Sequence, residues 1–300
     1  MNIRHLTSIV MALLLSLPLL LSSLYGQQIK STQKVIFGFY PSDRPTVVYK
    51  KFKPFVSYLE EEVNKRLKGK ITYKFEVVIT KSYQDHLDQM AQGKVEISRL
   101  GPASYVLLKR KVPNLKLLAV ENKKGKKTFN GHIIAYKDSP IKTIKDLSKM
   151  KGEISFAFGN KNSTLGRYFP QALLAKNGFN QSYFKKSKFL ARHDKVASAV
   201  VAGDYGLGSI KNGTYKKYRK RGLISIAKMK NITKPWVSHP KVSPQLLATI
   251  QAVMFDQKAK SKRRKKAYKK LKVKGFFAAE DKEFTFVREK MELALKFERN

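Results

Sequence analysis

The stretch Gly159-Asn160-Lys161-Asn162-Ser163-Thr164-Leu165-Gly166 decides how this chain is read. It follows a short apolar run, Ile154–Phe158, with strand character, and it opens a helix-like segment from about Ser163 to Lys176 that Gly178 stops. Pro170 inside that segment predicts a kink or a break into two pieces. Small, hydrogen-bonding residues at a strand-to-helix junction leave the unpaired N–H groups and the positive end of the helix dipole open to a small oxyanion. Two further junctions have the same character, Gly101-Pro102-Ala103-Ser104-Tyr105 and Arg192-His193-Asp194. Singly, each reads as ordinary helix capping by Ser163 or Thr164, or by His193 and Asp194. Three of them after successive strands, on the edge where open α/β sheets bind ligands, point to a binding site. No Gly-Lys-Ser/Thr follows a glycine loop, which excludes a nucleotide-type phosphate loop.

Working outward, strand-like and helix-like runs alternate from Val35 onward. Val35–Phe39, Tyr73–Ile79, Val95–Leu100 and Leu115–Val120 read as strands. Between them fall helices carrying Phe52, Phe55, Val56, Leu59 and Val63 with Pro54 near the start, then Tyr83–Ala91 capped by Ser82, then Ala103–Arg110. The alternation continues with Ile133–Tyr136 as strand, Ile141–Met150 as a short helix, and then Phe189–Ala191, His193–Ala202 and Leu207–Ile210 as strand, helix, strand. Leu223–Ala227 and Pro235–Val237 are strands, and helices over Ser243–Phe255, Lys258–Leu271 and Phe284–Phe297 close the chain. This is an α/β pattern with two units, joined by two crossing strands near Ile133–Tyr136 and Pro235–Val237.

The 300 residues carry 62 Lys+Arg against 21 Asp+Glu, a formal charge of +41. With 42% hydrophobic and 11% aromatic residues the chain has material for packed cores, so the charge is not that of a disordered polycation. Zero cysteine excludes disulfides, thiolate metal sites and a lipidated N-terminal cysteine; five histidines argue against a His-rich metal centre. No metal or cofactor is expected. Arg4, the apolar run Ile9–Leu21 broken by Pro18, and the small residues Ser22, Ser23 and Gly26 read as a secretory signal over residues 1–26, which places the body of the protein in a periplasm.

At the junction residues the chain resembles the periplasmic binding proteins of phosphate, phosphite and phosphonate ABC transporters, which have the two-lobed type 2 binding fold. The resemblance rests on Val95-Glu96-Ile97-Ser98-Arg99-Leu100-Gly101-Pro102-Ala103-Ser104-Tyr105, on Asp138-Ser139-Pro140-Ile141 with Asp146-Leu147, and on Asn162-Ser163-Thr164-Leu165-Gly166 with Pro170. His193-Asp194 with Ala199-Val200 and Gly203, then Pro235-Trp236-Val237 and Gly275-Phe276, complete it. It implies an α/β fold with the first lobe formed by residues 27–135 and 234–300, the second by 136–233, and the ligand cleft between them.

For the site, the resemblance implies that Ser163 and Thr164, followed by Leu165, donate to phosphoryl oxygens and that His193 donates from the facing helix. Tyr40 and the turn Leu100, Gly101 and Ser104 would close the first-lobe side. In this family an acidic residue usually stands three positions after the glycine that ends the histidine helix; here that position is Gly206, with Asp204 two residues earlier. The implied function is capture of a small phosphorus oxyanion for an ABC permease at the inner membrane, by a monomer that binds no nucleic acid.

Other readings remain to be weighed. A hydrolase triad of Ser163, His193 and an acid lacks a nucleophile elbow, so no enzyme is expected. A periplasmic ligand sensor would have the same site. A secreted polyanion-binding protein is suggested by Lys258–Lys274, where 11 of 17 residues are basic, but no recognised nucleic-acid motif accompanies them. A lysine-rich, carboxylate-poor surface also suits an acidic compartment or an anionic envelope.

Overall fold

The computed structural model describes residues 31–69, 71–256, 258 and 261–299. The expected signal, residues 1–26, lies outside them. Two sheets organise the chain. The first contains β1 (Ser31–Phe39), β2 (Ile71–Ile79), β3 (Ile97–Arg99), β4 (Lys116–Asn122), β10 (Pro235–Ser238) and β11 (Gly275–Phe277), in the order β11-β4-β10-β3-β1-β2. The second contains β5 (Thr128–Tyr136), β6 (Ser155–Phe158), β7 (Lys186–Phe189), β8 (Leu207–Lys211) and β9 (Leu223–Ile232), in the order β7-β6-β8-β5-β9. Strands β1, β2 and β3 run parallel, as do β6, β7 and β8, so each lobe presents several strand C-termini along one edge.

In the first lobe α1 (Pro45–Leu67) starts with Pro45 at its first turn, not at Pro54, which lies inside the helix and removes one N–H from its ladder. Helix α2 (Tyr83–Ala91) is capped as its sequence predicts, Ser82 Oγ accepting from the Asp85 N–H at 3.1 Å, and α3 (Pro102–Lys111) begins on Gly101. Buried Trp236 meets Phe39, Phe55 and Phe276 edge-on at ring distances of 5.1–6.0 Å, which fixes β10 within the first core.

In the second lobe the segment after β6 divides in front of Pro170. A π-turn, Thr164–Tyr168, leads into α4 (Phe169–Lys176). The short helix expected over Ile141–Met150 is a single 3-10 stretch, Lys145–Lys149, whose Asp146 carboxylate accepts the N–H groups of Lys142 and Thr143. Helix α5 (His193–Val201) precedes β8, and α6 (Asn212–Tyr218) follows it.

The division expected after residue 135 falls inside β5, whose whole length pairs with β9 and in part with β8. Between the sheets the chain crosses at residues 123–127 and 233–234, and the Thr233 N–H donates to the Lys127 carbonyl at 2.7 Å, tying one crossing to the other. Helices α7 (Pro244–Phe255) and α8 (Lys262–Leu271) return to the first lobe. Helix α9 (Thr285–Glu298) packs on both lobes. Tyr105 of α3 meets Phe284, just before α9, at 4.5 Å, while Phe297 near its end meets Phe158 of β6 at 5.5 Å and Phe184 at 6.0 Å. Arg167 closes this contact with a two-pronged ion pair to Glu298.

Candidate functional site

The loop Gly159–Gly166 closes on itself. The Gly159 N–H donates to the Gly166 carbonyl at 2.7 Å, and a methyl group on Gly159 would stand 2.9 Å from the Gly166 Cα, too close for any residue but glycine. That closure turns Ser163 and Thr164 toward the first lobe at the start of a helical segment whose first N–H groups have no partner within it. Ser163 is an N-cap, as the plain reading has it, its Oγ accepting the Gly166 N–H at 3.1 Å; Tyr83 of the first lobe also lies against it.

Contacts across the cleft follow from this placement. Thr164 Oγ1 accepts the Ala103 N–H at 2.8 Å, Ser104 Oγ donates to the Asn162 carbonyl at 2.9 Å, and Asn162 Nδ2 donates to Gln84 Oε1 at 3.0 Å. Lys211, at the C-terminal end of β8, pairs with Asp43 after β1 at 2.7 Å. The two lobes therefore meet through Thr164 and Ser104, which the sequence singles out, and through Gln84, Asp43 and Lys211, which it does not.

Gly101 marks the centre. A methyl group there would stand 3.1 Å from the Tyr40 hydroxyl, 3.3 Å from Thr164 Oγ1 and 3.5 Å from Lys234 Nζ. Its φ of −76° is open to any residue, so what glycine provides here is space at the turn and not backbone freedom. Three polar groups from three segments thus converge at hydrogen-bonding range on one point beside the turn. Tyr40 stacks on Tyr83 with ring centroids 3.8 Å apart, and burial, eased by Arg99, pushes its hydroxyl up to about 12, so it stays a donor. The side chains of Leu100 and Leu165 belong to the core. The Leu100 N–H donates to the Pro235 carbonyl at 2.9 Å, and Leu165 packs on Gly131 while its carbonyl accepts from Ser209 Oγ at 2.6 Å, so Leu100 shapes the turn and offers no donor to the cleft.

His193, at the first position of α5, is buried against the backbone of Ser209 and its Nδ1 has no hydrogen-bond partner among the described residues. Burial, then the ammonium groups of Lys211 and Lys234, holds its pKa well below the usual histidine value, so it stands as a neutral imidazole with both a donor and an acceptor face. Asp194 is held by Arg192 at 3.0 Å, Ser163 Oγ accepts the Gly166 N–H, and among the described residues no hydrogen bond links Ser163, His193 and an acid.

Gly206 lies at the N-terminal end of β8, level with Ser155, whose Oγ accepts its N–H. The cleft is at the other end of these strands, four residues or about 13 Å away at strand rise. An acid at position 206 would meet Ile154, not a ligand. Asp204 lines an outer groove with Arg192, Asp194 and Lys195, and Glu96 accepts the Ile36 N–H and pairs with Lys241.

Sequence reading missed the cations. Arg99 and the fully buried Glu121 form a two-pronged pair at 2.7 and 3.0 Å, joined by Lys123. Burial alone would raise the Glu121 carboxyl, but attraction to Arg99 and Lys123 holds it far below the carboxylate range. Lys51, Lys211 and Lys234 stand close by, each with its pKa lowered by burial first. The available signals were slight: Lys211 ends a strand on the ligand edge, and Lys234 precedes Pro235 in a crossing segment, where the proline holds it extended.

A family described as ABC transporter, phosphonate, periplasmic substrate-binding protein matches residues 37–284. A probable phosphite-binding protein of an ABC transporter from Prochlorococcus marinus is 23% identical over 287 residues, covering 90% of this chain and 93% of that protein. Its crystal structure with methylphosphonate superposes with a TM-score of 0.76 at 22% identity, over 88% of this chain and 98% of that one. A binding protein of a phosphonate ABC transporter from Pseudomonas aeruginosa has a TM-score of 0.77 at 19% identity, over 87% and 86% of the two chains. These neighbours are type 2 periplasmic binding proteins, and they share the two-sheet architecture.

Proposed function

The chain belongs to the family of periplasmic substrate-binding proteins of phosphonate ABC transporters, and on that premise we propose that it closes its two lobes on a small phosphorus oxyanion, phosphate, phosphite or a phosphonate, and delivers it to a membrane permease. The observation that carries this reading is the convergence beside Gly101 of the Tyr40 hydroxyl, Thr164 Oγ1 and Lys234 Nζ. Ligand oxygens take the place of the cross-cleft contacts: Thr164 and Ser163 supply donors from the second lobe, and Tyr40 and the Ser104 hydroxyl from the first. His193 serves from the facing helix as donor or acceptor, since its ring is neutral. Residues 1–26 act as the address that brings the protein to the permease, and the protein works there as a monomer.

Binding is followed by calorimetry and thermal shift with phosphate, phosphite, methylphosphonate and sulfate. Saturable binding of at least one phosphorus anion supports the reading. Absence of any response to all of them would falsify it.

A further inference from the structure

Lys234 is a buried lysine that the rest of the protein leaves unmatched: burial, then Arg99 and Lys211, holds its pKa well below the ordinary lysine value, and an anion bound beside it favours its charged form. Its carbonyl accepts the Glu121 N–H at 3.2 Å and Pro235 follows it, so its backbone is fixed on both sides. Its Nζ lies beside Gly101, 5.4 Å over the Phe129 ring. Among the described residues no carboxylate pairs with it. Glu121 is taken by Arg99 and Lys123, Asp43 by Lys211, and Asp194 by Arg192. Around this point stand the basic side chains Arg99, Lys51, Lys123, Lys211 and Lys234 against Glu121 and Asp43, three more basic groups than carboxylates. Buried charge of one sign is costly until a partner of the other sign completes it.

The remaining groups at the point do not alter that balance. Tyr40 keeps its proton, Thr164 and Ser104 are neutral hydroxyls, and His193 is neutral. A second negative charge on the ligand is therefore met by attraction. An ammonium carried by the ligand finds no free carboxylate and faces Lys234 at short range. Resting on the reading of the cleft as a phosphorus-oxyanion site, we propose that Lys234 sets the charge class of the ligand: the site takes doubly ionised anions such as phosphate, phosphite and simple alkylphosphonates, and rejects phosphonates that carry an ammonium group.

The test is calorimetry on the full chain at pH 8 with methylphosphonate and 2-aminoethylphosphonate, for the native protein and for Lys234→Arg and Lys234→Met, with thermal melts alongside. The native protein should prefer methylphosphonate at least a hundredfold. Lys234→Arg should keep that preference, while Lys234→Met should weaken methylphosphonate at least tenfold and narrow the gap. If Lys234→Met fails to fold, the native comparison decides alone. Equal affinity of the native protein for the two ligands overturns the role of Lys234 and leaves the oxyanion reading standing. If methylphosphonate, phosphate and phosphite all fail to bind, the oxyanion reading falls and this inference with it.

Discussion

Thr164 and Ala103 belong to different lobes, and the hydroxyl oxygen of one accepts the backbone N–H of the other at 2.8 Å. A residue expected to hold ligand is thus also the tie that brings its lobe to the first turn of α3. The same tie makes the role of Thr164 measurable in two ways. Replacing Ser163 and Thr164 with alanine removes two donors to a charged ligand, each worth about 1.5–3 kcal/mol. Affinity for methylphosphonate should drop at least tenfold in calorimetry. A lower melting temperature with unchanged affinity would assign both residues to capping alone.

Gly101→Ala places a methyl group 3.1–3.5 Å from Tyr40 Oη, Thr164 Oγ1 and Lys234 Nζ. The φ there suits alanine, so stability should change by less than about 1 kcal/mol while affinity falls more than tenfold. Native affinity in this variant would move the ligand away from the Gly101 turn.

Gly206→Asp should alter stability and leave selectivity alone. A Cβ at this position comes within 2.1 Å of Ile154 Cδ1 and 2.9 Å of its Cγ1, an overpacking that costs about 1–3 kcal/mol. Urea melts should show the loss, and the ratio of phosphate to sulfate affinity should match the native protein. A changed ratio would bring position 206 back into the site.

Acid stability depends on the buried histidines as well as on the sparse carboxylates. His86 is fully buried, with Nε2 2.7 Å from Ser98 Oγ, and burial lowers its pKa to about 3. Between that value and the ordinary histidine pKa the unfolded chain binds the proton and the folded one does not, so stability is whole above about 6.5 and declines as pH falls toward 3. The loss is on the order of 5 kcal/mol across the window. Glu121 is depressed, so its contribution is whole above the ordinary carboxylate pKa and is lost progressively as pH falls below it. Urea melts at pH 7 and pH 4 should show a smaller difference for His86→Gln than for the native protein. Equal slopes would rule out His86 as the acid-sensitive group.

Phe297→Ala should destabilise by about 3–5 kcal/mol, because the ring is fully buried between Phe158 and Phe184. Hydrogen exchange should rise in both α3 and β6. A rise confined to α9 would contradict its role as a shared wall.

The sequence showed the fold wherever burial imposed a period. Phe52, Phe55, Val56, Leu59 and Val63 mark α1, and the alternation of such runs with apolar strands gave two α/β units. It fell short where burial is slight or polar residues line the element. Of α6, only Thr214 is buried, and the Thr128–Gly131 half of β5 carries no apolar alternation, which is why the boundary between the lobes was set too late. Junction chemistry marks Ser163, Thr164, Gly101 and Ser104 in the sequence, while Tyr40 comes from the family resemblance alone; the structure brings Tyr40, Thr164 and the Gly101 turn side by side. Lys234 and Lys211 were not, since among so many lysines on a solvated surface nothing in the string distinguishes two that turn inward.

Helix α9 has a consequence for the order in which the molecule is completed. The second lobe is continuous from β5 to β9, and Phe158 and Phe184, which meet Phe156, Phe189 and Tyr183 within it, are also met by Phe297 from the far end of α9. As the polypeptide emerges N-terminus first, the second lobe waits for the last turn of α9 to bring Phe297 against Phe158 and Phe184. A chain that stops within α9 keeps the Tyr105–Phe284 contact of the first lobe and loses the Phe297 ring against Phe158 and Phe184, so the second lobe is left with the open face.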